Sequence, residues 1–209
     1  MINTKDQKAL FELIAKYLQK NITCIAIGGT AMMFSNYKAA TKDIDLVFKN
    51  EEDTKEFVKA IKKLGYEQRS LKGVYDEKRQ KAKSKPQMYT RGQERFDLFT
   101  KNVFGYELDF SQENIMQRND FIEKQQLIIH ILPPEDLVLL KAITNRPADF
   151  EDINTILKYE KIDWKNIVKK AIRQKQNNPW ILHDLEKTLQ ELKKQHFIKQ
   201  EILELIYNQ

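Results

Sequence analysis

The sequence predicts an α+β fold: a mixed β-sheet core with flanking helices over residues 1–132, then a helical region over 133–209. Two observations predict it. Before Pro133-Pro134, short β-branched apolar runs alternate with amphipathic stretches; after it, apolar residues recur only at helical spacing. A third bounds it: 209 residues with a 41% apolar fraction suffice for one large domain or two small ones, here divided at the double proline.

The elements follow in order. Thr4-Lys5-Asp6-Gln7 has the form of a capping box, and Leu10, Ile14, Tyr17 and Leu18 then mark one face of a helix over 5–20. Thr23 to Ile27 reads as a buried strand ended by Gly28-Gly29. Thr30 to Ser35 reads as a short helix and Asp43 to Phe48 as a second strand. Glu51 to Leu64 places Phe57, Ile61 and Leu64 on one face, with Gly65 as its C′ residue. Tyr66 to Leu71 and Phe96 to Thr100 read as strands, the latter pairing with Tyr106 to Phe110, and Leu127 to Leu132 as another. Lys72 to Arg95 is irregular and reads as an exposed basic loop. Beyond the double proline, helices are expected over 135–144, 148–159 and 164–175. A fourth opens at Asn178-Pro179 as N-cap and first residue, and a fifth spans 197–207.

Lys and Arg number 36 against 30 acids, a net charge of +6. The basic excess is compatible with an anionic partner such as a nucleotide or RNA. It concentrates between Glu67 and Arg95, where nine Lys or Arg face four acids. No run of 18 apolar residues argues for a membrane span, and the N-terminus lacks the apolar core of a signal peptide. With a single cysteine, Cys24, the expectation is a reduced thiol in a cytoplasmic protein with no membrane partner.

The chemistry sits in AIGGTAMMFSNYKAATKDIDLVF, residues 26–48. Residues i and i+2 of a strand point to one side, so Asp43 and Asp45 project together while Ile44 and Leu46 face the core. Two carboxylates that close repel unless a cation lies between them. Mg²⁺ takes oxygen ligands, typically one or two carboxylates with substrate phosphates and water. Gly28-Gly29 lets backbone approach a ligand closely, and the first N–H groups of the following helix favour phosphate, with Thr30 adding a hydroxyl.

The stretch GGTAMMFSNYKAATKDIDLVF resembles the DNA polymerase β-like nucleotidyltransferase superfamily, whose small prokaryotic members carry a strand, a Gly-Gly or Gly-Ser turn, a short helix and a strand with Asp-x-Asp. The nearest look is to abortive-infection, toxin-type or uncharacterised members. The resemblance covers residues 22–158. It implies that Asp43 and Asp45 bind two Mg²⁺ ions (Mn²⁺ also fits) and a nucleoside triphosphate such as ATP. A third catalytic and metal-binding carboxylate on a later strand is then Asp97 in RFDLFT, or else Asp109 in YELDFS. Gly28, Gly29, Thr30 and Lys42 fall at the nucleotide end. LPPEDLVLLKAITNRPADFEDI matches the family's segment after the sheet, implying that Lys141 and Arg146 contact the triphosphate with Asp149 and Asp152 nearby. Gly-Gly-Thr departs from the commoner Gly-Ser, so the usual serine–phosphate contact is not carried over. The implied activity is metal-dependent transfer of a nucleoside monophosphate to a hydroxyl of RNA or tRNA, of a protein or of a small molecule. A toxin role beside an antitoxin protein is a further implication. The alternative is a non-catalytic relative that binds a nucleotide or partner.

Overall fold

The computed structural model describes residues 1–74, 77, 80 and 84–209. It divides into two compact units, one of 1–104 and 108–132, the other of 105–107 and 133–209.

Unit 1 is built on a seven-stranded mixed sheet. Its strands are β2 (Ile22–Ala26), β4 (Asp43–Phe48), β5 (Glu67–Arg69), β6 (Gln87–Arg91), β7 (Glu94–Thr100), β10 (Gln117–Ile122) and β11 (Gln126–Ile131), in the order β10-β11-β2-β4-β7-β6-β5. The pairs β11–β2 and β4–β7 are parallel and the rest antiparallel. Two short strands, β1 (Ile2–Asn3) and β3 (Ala40–Thr41), pair separately, and β8 (Asn102–Val103) also lies outside the seven-stranded sheet. Helices α1 (Thr4–Tyr17) and α3 (Glu51–Lys63) contact the sheet and each other, and α2 (Gly28–Phe34) lies against β4.

Strand alternation divides the sheet's residues between two faces. One carries Ile22, Cys24, Ile44, Leu46, Phe48, Phe96, Leu98, Leu127 and Ile129, all buried. Phe57 of α3 packs there, its ring 5.0 Å from Phe48 and 5.6 Å from Phe96, and Phe11 of α1 lies 5.3 Å from Phe121. Burial raises the Cys24 thiol pKa far above its ordinary value, so the thiol stays protonated. The other face carries Asp43, Asp45, Arg95 and Asp97.

Several expectations need correction. The cap of α1 is Asn3, whose side chain accepts from the Asp6 N–H at 2.9 Å; Gln7 is fully buried instead of reaching back to the cap. β7 pairs with β4 and β6, not with the 106–110 segment, of which only β9 (Tyr106–Glu107) is extended. β6 was hidden in the basic stretch; it turns through Gly92 into β7. β10 is an edge strand with a mostly polar sequence, QRNDFI, and so gives no apolar signal. Of the basic loop, residues 75, 76, 78, 79 and 81–83, including Lys81 and Lys83, lie outside the described residues.

Unit 2 holds α4 (Pro134–Thr144), α5 (Pro147–Tyr159), α6 (Trp164–Gln174), α7 (Ile181–Leu192) and α8 (Gln200–Tyr207). The helix expected to start at Pro179 begins at Ile181, and Asn178 instead accepts from the Trp180 N–H at 3.1 Å. α4 packs on α5, α6 and α7 and is buried from Asp136 to Ile143. A helix buried all round must neutralise its own charges. Asp136 accepts from the Tyr106 hydroxyl at 3.0 Å and pairs with Lys170, and Lys141 pairs with Asp152 at 2.6 Å and Asp149 at 3.5 Å. Among the described residues no helix is long and apolar enough to cross a membrane.

Candidate active site

β2 pairs with β4 only as far as Ala26 opposite Leu46. Beyond that point the backbone of Asp45 is served by the turn into α2. Ile27 N–H donates to the Asp45 carbonyl at 3.1 Å, and Asp45 N–H donates to the Thr30 hydroxyl oxygen at 3.0 Å. Gly28 adopts φ +56°, and a Cβ placed there would lie 2.4 Å from Oδ2 of Asp45. A Cβ on Gly29 would lie 2.1 Å from the Thr41 hydroxyl oxygen. Both glycines are therefore required by close approach: Gly28 to the aspartate itself, Gly29 to the residue that leads into it.

Across β4 and β7 the parallel register sets Asp45 opposite Asp97 and Asp43 opposite Arg95. Asp97 is fully buried, while Asp43 and Asp45 are half-buried. The Arg95 guanidinium ion-pairs with Asp43 and lies 3.3 Å from Asp97. Lys42 is exposed; with Arg91, Arg95, Ile44, Leu10 and Leu13 it lines a cavity of about 460 Å³, to which Asp43, Asp45 and Asp97 contribute nothing. Thr30 is fully buried, its hydroxyl engaged by Asp45. Asp109 is exposed, and its side chain accepts from the Ser111 N–H at 2.8 Å in a local turn.

In unit 2, Lys141 is 4% exposed and held by the two carboxylates of α5. Asp149 also accepts from Arg146 Nε at 2.7 Å and from the Thr144 hydroxyl at 2.8 Å. Burial opposes ionisation of Asp149, but the Arg146 hydrogen bond, the Lys141 and Arg146 charges and the Thr144 hydroxyl outweigh it. Its carboxyl is held below the usual range. Arg146 is half exposed.

Two contributors were missed in the sequence. Thr41 meets Gly29, and Arg95 joins two acids; the available signal for Arg95 was its position two residues before Asp97, on the same strand face. Among the described residues, no three His, Cys, Asp or Glu side chains are already arranged around a metal position. The donor set nonetheless fits one. Three carboxylates share a face of adjacent strands, hard oxygen donors suited to Mg²⁺, and the absent Cβ of Gly28 admits the Asp45 carboxylate to its place against the turn.

Residues 6–201 match a family described as a nucleotidyltransferase of unknown function, DUF6036. The chain belongs to this family. As a DUF6036 nucleotidyltransferase it is an enzyme, which removes the reading as a non-catalytic relative, and its chemistry is transfer of a nucleoside monophosphate from a nucleoside triphosphate. No curated protein matches the sequence. Among solved structures, the fold is similar to that of ANT(2″)-Ia in complex with adenylyl-2″-tobramycin, with TM-score 0.51 and 14% identity over 81% of this chain and 97% of that one. At that identity the likeness concerns the fold. Neither comparison singles out a toxin-type branch of the superfamily.

Proposed function

We propose that this DUF6036 nucleotidyltransferase uses Mg²⁺ held by Asp43, Asp45 and Asp97 to transfer a nucleoside monophosphate to a hydroxyl of RNA. One observation carries the assignment: Asp45 lies in register with Asp97 while Gly28 gives up its Cβ space to the Asp45 carboxylate. When bound, the metal would stabilise charge on the attacking and leaving oxygens of the displacement at the α-phosphate. The chain's residues do the rest. Gly28 and Gly29 let Asp45 and Thr41 close on the turn into α2, Lys42 offers an exposed cation beside Asp43, and the Asp97 carboxylate takes the proton of the acceptor hydroxyl.

The basic excess between Glu67 and Arg95 and the pI of 9.1 support a polyanionic acceptor. The resemblance to toxin-type members supports a setting in which such transfer arrests growth beside an antitoxin partner. The test incubates the protein with Mg²⁺ and each labelled nucleoside triphosphate, offering total RNA, lysate protein and tobramycin as separate acceptors. Label on RNA that disappears with Asp45→Asn is the expected result. Full activity of Asp45→Asn overturns the metal assignment, and label confined to protein or to tobramycin overturns the RNA acceptor.

A further inference from the structure

Arg95 stands opposite Asp43 and two residues before Asp97, on the same face as both. Its guanidinium pairs with Asp43 and approaches Asp97 to 3.3 Å, with the Arg95 and Asp43 side chains only 20% and 27% exposed. Its Nε is buried and has no hydrogen-bond partner among the described residues. Two of the three acids assigned to the metal are thus already contacted by a single cation belonging to the chain.

We infer that Arg95 is an internal counter-ion that keeps free divalent metal out of the site and passes to the triphosphate when metal arrives with nucleotide. The inference rests on the metal reading of Asp43, Asp45 and Asp97. A metal would need inner-sphere oxygens at roughly 2.0–2.1 Å, and the guanidinium draws on the charge of those same carboxylates through Oδ2 of each, so the two cations compete. A partly buried arginine does not leave two carboxylates without another anion, because stranding it is costly. Free Mg²⁺ brings none. A metal–triphosphate complex brings phosphate oxygens that match the planar donor fork. Arg95 also lines the 460 Å³ cavity together with Lys42 and Arg91. Metal and nucleotide affinity are then coupled, each raising the other. Arg95 is a positioning residue in the metal-free protein and a phosphate ligand in the loaded one.

The experiment measures Mn²⁺ binding by calorimetry and electron paramagnetic resonance, with and without α,β-methylene-ATP. The proteins are the wild type, Arg95→Met, Arg95→Lys and Asp45→Asn. Without nucleotide, Arg95→Met should bind Mn²⁺ about tenfold more tightly than the wild type, with Arg95→Lys between them. With the analogue present the gap should close, and Arg95→Met should bind the analogue about tenfold more weakly. If Arg95→Met fails to fold, the Arg95→Lys comparison carries the test, with a gain of about threefold. Equal Mn²⁺ affinity of wild type and Arg95 variants without nucleotide, lost in Asp45→Asn, overturns the counter-ion role and leaves the metal site standing. Mn²⁺ binding that survives in Asp45→Asn, or that is absent from every protein even with the analogue, overturns the metal reading itself and the inference with it.

Discussion

Replacing Gly28 with alanine adds a single methyl group at the most constrained point of the site. The residue sits at φ +56°, where a Cβ costs roughly 1–2 kcal/mol. The new atom would also stand 2.4 Å from Asp45 Oδ2. Ordinary non-bonded separations are roughly 3.5 Å, so the carboxylate must withdraw by about 1 Å. Misplacement of a reacting group on that scale costs about 10²-fold in rate. Thermal unfolding should therefore fall by about 4–8 °C for about 2 kcal/mol in a chain of this size. Nucleotide transfer at saturating triphosphate should fall about a hundredfold. Gly92 is the control: at φ +58° it carries the same backbone strain, but a Cβ there meets nothing within 4 Å. Gly92→Ala should lose a similar amount of stability and keep its transfer rate. A Gly28→Ala rate within twofold of wild type, or no lower than that of Gly92→Ala, refutes the contact between the turn and Asp45.

Three further outcomes are expected. A Cβ on Gly29 would overlap Thr41, whose own Cβ would be 2.9 Å away, so Gly29→Ala with Thr41→Ala should be less destabilised than the sum of the single variants; strict additivity in urea unfolding would remove that coupling. Asp149 has its folded pKa lowered, so its contribution to stability is present above the ordinary value of 3.8 and is lost as pH falls through the folded value. The stability gap between wild type and Asp149→Asn should therefore narrow below pH 3.8 in acid titrations of unfolding, and a constant gap would contradict the assignment. His130, 2% exposed with neither ring nitrogen partnered among the described residues, has its pKa lowered by burial and then by Arg118, with Asp120 opposing. Its unfolded form takes up the proton first, so stability should drop as pH falls below 6.5. His130→Leu should remove that slope and raise stability at neutral pH by about 1 kcal/mol, and an unchanged slope would refute it.

The architecture was legible where burial repeats with a clear period. The helices of unit 2 announce themselves by apolar residues at helical spacing, and the strands of DIDLVF and RFDLFT by alternate apolar residues. β6 and β10 were not legible because they lie toward the sheet's margins, where QMYTR and QRNDFI satisfy their backbones without a fully apolar face. The same limit applies to the site. Alternation brings Asp43 and Asp45 to one face, but that Asp45 lies opposite Asp97 depends on a pairing some fifty residues distant. Lys141 has partners that its own helix does not announce. A cation within an apolar helix invites a ligand, yet its charge is taken up by Asp149 and Asp152, which follow in the next helix.

The hydrogen bonds from Ile27 and to Thr30 fix both backbone groups of Asp45 to the start of α2. Between that clamp and β4, residues 35–42 form a bypass whose length does not set the position of the aspartate. Insertions there should be absorbed as long as Thr41 still reaches Gly29, whereas a one-residue slip of β4 would place Ile44 or Leu46 where an acid belongs. In searching for distant relatives, the number of residues separating the glycines from the aspartates is therefore a poor guide. A better marker is a hydroxyl residue two positions after the first glycine combined with a β-branched hydroxyl two positions before the first aspartate.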